Sequence, residues 1–84
     1  MIVNFGIDCD PYQQRPNVYA EAVFEKVGIE PVEPECKLFG AWSWSLLIVN
    51  SKLNADELSD WIKEYMTGLY VSDKIRGTEW NVLD

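Results

Sequence analysis

The chain has 84 residues, 14 acidic against 7 basic, for a formal charge of −7, and it contains no histidine. These counts exclude His-ligated zinc sites, Ser-His-Asp triads and Cys-His dyads. They also disfavour contact with phosphate backbones or anionic membranes. Hydrophobic residues make up 48% of the chain and aromatics 13%, enough for one core, so residues 1–84 are expected to form a single domain. No apolar run approaches the length of a membrane span, and Met1-Ile2-Val3-Asn4 lacks the basic region of a signal peptide. A cytoplasmic location is expected, where Cys9 and Cys36 stay reduced.

Met1–Asp8 alternates, with Val3, Phe5 and Ile7 on one face and Ile2, Asn4, Gly6 and Asp8 on the other, as a first strand would. A polar loop follows, bracketed by Pro11 and Pro16. Asn17 is the expected N-cap of a helix running to about Val27. Its inner face carries Tyr19, Ala20, Val23, Phe24 and Val27, and Gly28 supplies the left-handed stop. Residues 29–39 contain Pro31 and Pro34 among three glutamates and read as an irregular edge strand, regular only near Cys36–Phe39. Gly40-Ala41 is the turn into a third strand over residues 42–50. That strand opens Trp42-Ser43-Trp44-Ser45 and then turns continuously apolar at Leu46, Leu47, Ile48 and Val49.

Asn54, with Glu57 three residues on, makes a capping-box start for a second helix. Leu58, Trp61, Ile62, Tyr65 and Met66 form its apolar stripe, and Gly68 is its expected end. Leu69–Arg76 is then the last strand, with a bulge at Gly77 and a short extension over 78–83. Strand, helix, strand, strand, helix, strand predicts an α+β, ferredoxin-like βαββαβ two-layer fold. Its sheet would be four-stranded and antiparallel, with both helices on one face. Two of the four apolar residues at 46–49, either Leu46 with Ile48 or Leu47 with Val49, must then lie on the open face. That face is expected to be covered by a second copy, by another protein, or by residues 78–84 folded back with Trp80 and Val82 as a lid.

Asp8 and Asp10 close the first strand, and two carboxylates there suit Mg²⁺ and phosphodiester hydrolysis. Cys9, between them and with no histidine to activate it, is a poor nucleophile. The strand Met-Ile-Val-Asn-Phe-Gly-Ile-Asp, a loop with an arginine, and a helix ending Val23-Phe24-Glu25-Lys26-Val27-Gly28 resemble a known pattern. It is that of the small CRISPR-associated ferredoxin-fold nucleases and the virulence-associated D proteins. The resemblance implies that Asp8 binds metal and that two subunits place this residue side by side.

Trp42 and Trp44 share a strand face, so they enter the core together or project together as partner-binding anchors. Glu21, Glu25, Asp56, Asp60 and Glu64 are expected on the outer helix surface, as solvating charge or as a negative patch for a basic partner. The leading expectation is a protein-binding module without a cofactor, an inhibitor or adaptor that engages a basic protein, with nucleic-acid-binding proteins among the candidates. The alternative is a Mg²⁺-dependent homodimeric endonuclease acting through Asp8 and Asp10.

Overall fold

The computed structural model describes every residue except Pro11, Gln13, Gln14, Phe39, Asp73 and Lys74. Its elements are β1 (Ile2–Asp8), α1 (Pro16–Val27), β2 (Glu35–Leu38), β3 (Ala41–Leu47), α2 (Ala55–Val71) and β4 (Gly77–Leu83). They form one antiparallel sheet in the order β2-β3-β1-β4, so the expected α+β ferredoxin-like arrangement is the observed one. Among the described residues, no helix is long and apolar enough to cross a membrane.

One core lies between sheet and helices. Val3, Phe5 and Ile7 of β1 and Trp44 and Leu46 of β3 meet Ala20, Val23, Phe24 and Val27 of α1 and Leu58, Ile62, Met66 and Leu69 of α2. Phe5 stacks on Trp44 at a centroid distance of 4.8 Å, and Phe24 meets both edge-on at 6.2 and 6.3 Å. The Trp44 indole N–H donates to the Val32 carbonyl at 2.9 Å, which ties the segment before β2 to the core.

Local signals decide most helix ends. Gly28 closes α1 with φ +76°, and its N–H donates back to Phe24 and Glu25. The start of α1 differs from expectation. Arg15, not Asn17, is the N-cap and provides no side-chain bond, while Pro16 occupies the first turn. Proline at the first helical position leaves no orphan N–H there, and its fixed φ already suits a helix.

In α2 the capping box forms as expected. The Glu57 N–H donates to Asn54 Oδ1 at 2.8 Å, and the Asn54 N–H donates to Glu57 Oε1 at 3.5 Å. The helix does not stop at Gly68 but continues to Val71. Glycine costs a helix interior about 1 kcal/mol relative to alanine. Burying Leu69, one turn beyond Met66 on the same stripe, offsets that cost. Two substitutions test this helix in opposite directions. Asn54→Ala should lose about 0.5–2 kcal/mol in a urea melt. Gly68→Ala should gain about 0.5–1 kcal/mol, because nothing lies within 4 Å of an added Cβ.

The last strand is correspondingly displaced. β4 is Gly77–Leu83, not Leu69–Arg76, and it pairs with β1 from Ile2↔Leu83 to Asp8↔Gly77 without a bulge. Trp80 and Val82 lie opposite Phe5 and Val3 and face the helices, so this segment is a strand and not a lid on the open face. β2 is confined to four residues, with a register shift between Cys36 and Leu38. Phe39, its expected end, lies outside the described residues. β3 ends at Leu47, although main-chain bonds between Met1 and Ile48 extend the pairing one step further.

Candidate functional site

The register of β3, β1 and β4 arranges the helix-free face in four rows. Leu47, Ile2 and Leu83 form the first. Ser45, Asn4 and Asn81 form the second, Ser43, Gly6 and Glu79 the third, and Ala41, Asp8 and Gly77 the fourth. β2 adds Glu35 beside Ser43 and Leu38 beside Ala41.

The first row is apolar and wet. Leu47 is 73% exposed, Ile2 41% and Leu83 47%, with Val49 just beyond at 84%. Of the two alternatives the sequence allows, Leu47 with Val49 therefore takes the open side, and Leu46 with Ile48 is buried. Three neighbouring aliphatic side chains in one row are more than scattered surface hydrophobes.

A charged pair crosses the third row. Lys37 Nζ of β2 reaches Glu79 Oε1 of β4 at 3.8 Å, passing over β3 and β1. Gly6 is what lets it pass, since a Cβ there would come within 2.7 Å of Glu79 Oε1 and 2.8 Å of its Cγ. The pair separates two grooves. The larger, about 580 Å³, runs over Asn4, Ser43, Ser45 and Asn81 towards Val32 and Glu35. The smaller, about 300 Å³, runs over Asp8, Leu38, Ala41 and Gly77.

Asp8 and Asp10 have separate partners. Asp8 Oδ1 accepts from the Arg76 guanidinium at 2.7 Å, and the same nitrogen donates to the Cys9 carbonyl at 3.1 Å. The Arg76 N–H also donates to the Asp8 carbonyl at 2.7 Å, which fastens the end of β1 to the residues entering β4. Asp10 Oδ1 accepts the Tyr12 N–H at 2.9 Å in an Asx turn. Among the described residues, no group of three or more Cys, Asp or Glu side chains is placed to hold a metal ion.

Cys9 and Cys36 are both free, as expected. Burial pushes the Cys9 thiol above its ordinary pKa. The Arg76 charge opposes that shift, and Asp8 and Asp10 add to it. Cys36 lies exposed on the edge strand. An alkylating reagent at neutral pH should therefore label one thiol quickly in the folded protein and two after unfolding, with peptide mapping identifying Cys36 as the fast one.

The tryptophan pair enters the core. Trp44 is 3% exposed, and Trp42, opposite Ile7 on the same face, packs half-buried against the core margin. Neither projects as a free anchor, because their register matches the inward row of β1. Glu21, Glu25, Asp56, Asp60 and Glu64 are all exposed. Between the helices, Trp61 stacks on Tyr65 at 5.3 Å, with Lys26 over the indole at 5.5 Å. The Tyr65 hydroxyl donates to the Tyr19 carbonyl at 2.6 Å.

Sequence reasoning missed Arg76 as the partner of Asp8 and Lys37 as the partner of Glu79. Each pair joins segments far apart in sequence, and placing β4 one segment too early hid both. The alternation Thr78-Glu79-Trp80-Asn81-Val82-Leu83 was the available signal. Comparisons of the chain with protein-family models, curated proteins and solved structures find no match.

Proposed function

We propose that the protein is a non-enzymatic binding module, an inhibitor or adaptor, whose open sheet face docks on a basic protein. The observation that carries this reading is the exposed row Leu47–Ile2–Leu83 on a chain of formal charge −7. The apolar row supplies area to bury, at roughly 25 cal/mol per Å² removed from water. The net negative charge of the chain favours a partner of opposite charge and raises its association rate. A second copy would bring two like-charged surfaces together, so the reading favours a different protein. In this reading Asp8 serves the fold through Arg76.

Leu47→Lys tests the face, because its side chain is largely solvent-exposed and the core loses nothing. A basic protein retained from source lysate at low salt, released at high salt and lost on Leu47→Lys is the expected result. Retention unaffected by Leu47→Lys, or a stable homodimer in sedimentation, overturns the reading. Amide shifts at Asp8 and Asp10 with millimolar Mg²⁺, accompanied by cleavage of RNA or DNA, would replace it with the nuclease.

A further inference from the structure

The two edges of the sheet are built differently. β2 is four residues long, follows Pro31 and Pro34, and carries a register shift. These devices blunt an edge against further pairing. β4 has none of them. Its seven residues contain no proline, keep unbroken register with β1 and include the strand formers Thr78, Trp80 and Val82. Its one charged side chain, Glu79, lies back across the sheet towards Lys37 and does not guard the edge. Among the described residues, no hydrogen bond reaches the β4 backbone beyond its ladder with β1. Alternate N–H and C=O groups therefore point outward, ready for another strand.

We propose that the outer edge of β4 takes up an extended basic segment of the partner protein as a fifth strand. This rests on the binding-module reading and specifies how the partner is held. The occupant follows from charge. β4, the residues on either side of it and the α2 helix packed beside it carry Asp56, Glu57, Asp60, Glu64, Glu79 and Asp84 against the Lys63 ammonium and the Arg76 guanidinium, the latter already held by Asp8. A second β4 related by a two-fold axis would set those carboxylates against their own copies. A segment rich in lysine or arginine neutralises them.

Register then specifies the segment. Side chains of an added strand alternate between faces. Those on the open face lie beside Glu79 and Leu83, four residues apart, so a basic residue and an aliphatic one at that spacing complement both. The intervening side chains lie beside Trp80 and Val82, the half-buried outer rim of the helix layer, and are best β-branched. To meet that basic residue Glu79 swings from Lys37 to the edge, a small cost because the Lys37–Glu79 contact is 3.8 Å long and exposed.

The probe is a blocked heptapeptide, Thr-Leu-Val-Thr-Val-Lys-Thr, whose order sets Leu beside Leu83 and Lys beside Glu79 when it adds antiparallel to β4 like the other strands, compared with its counterpart carrying Glu in place of Lys. Titration into the ¹⁵N-labelled full chain should shift β4 amides and slow exchange of the outward ones at least tenfold. The Glu peptide should bind at least tenfold more weakly, and Glu79→Lys should reverse that preference, with Glu79→Gln abolishing it. Equal binding of both peptides, no binding at millimolar peptide, or self-association through β4 in sedimentation overturns the proposal. Shifts at Ile2 and Leu47 without β4 protection would remove strand addition yet leave open-face docking. β4 protection indifferent to Leu47→Lys would do the reverse.

Discussion

Trp44→Ala should be the most damaging single truncation in the chain. The indole is almost fully buried, stacks on Phe5 at an interplanar angle of 8° and meets Phe24 edge-on. Its N–H also holds the Val32 carbonyl. Removing it opens a cavity beside Phe5 and Phe24, and such truncations cost about 3–5 kcal/mol. A domain of this size has only about 4–12 kcal/mol in total, so the midpoint in urea should fall by about a quarter or more with the slope unchanged. Trp44→Phe keeps a stacked ring and loses the hydrogen bond, for about 1–2 kcal/mol. Trp42→Ala, at the core margin, should cost less than Trp44→Ala. A loss below about 1 kcal/mol for Trp44→Ala would mean that the three-ring cluster is not the centre of the core.

Gly40→Ala should come next, and its comparison with Gly28→Ala isolates the reason. Both glycines have left-handed backbones, with φ of +88° and +76°. That conformation alone costs an alanine roughly 1–2 kcal/mol. At Gly28 an added Cβ meets nothing within 4 Å, so the backbone cost is the whole effect. At Gly40 the Cβ would lie 3.1 Å from the Cys9 carbonyl and collide with the Arg76 guanidinium, which must then leave Asp8. The expected loss at Gly40 is about 2–4 kcal/mol. Combining Gly40→Ala with Arg76→Ala should return part of that loss, a coupling readable in a double-mutant cycle. Equal losses at Gly40 and Gly28 would show that the guanidinium moves aside freely.

These two predictions draw on different kinds of information. The first depends on a pattern visible in the chain, since alternation already grouped Val3, Phe5 and Ile7 and placed Trp42 and Trp44 on a common face. Which way the tryptophans point was not visible. A strand with apolar residues at consecutive positions can present either set to the core, and the choice falls to the register with β1. Opposite Phe5 the only rewarding partner is Trp44. The second prediction depends on Arg76 reaching Asp8 across 68 positions of sequence, and no local pattern encodes such a contact.

By itself the sequence determined the element order, the capping box at Asn54 and Glu57, the left-handed stop at Gly28 and the alternation of β1. Each is settled by groups within a few residues of one another. Tertiary structure decided where α2 ends and β4 begins. Leu69-Tyr70-Val71 suits a strand or a helix equally, and burial of Leu69 beyond Met66 chose the helix. It also decided that Leu47, Ile2 and Leu83 share one exposed row, that Glu79 crosses above Gly6, and that Asp8 is held by Arg76. A strand's side chains alternate whatever its neighbours are. What they face depends on pairing register, which is set only when distant segments meet around one core.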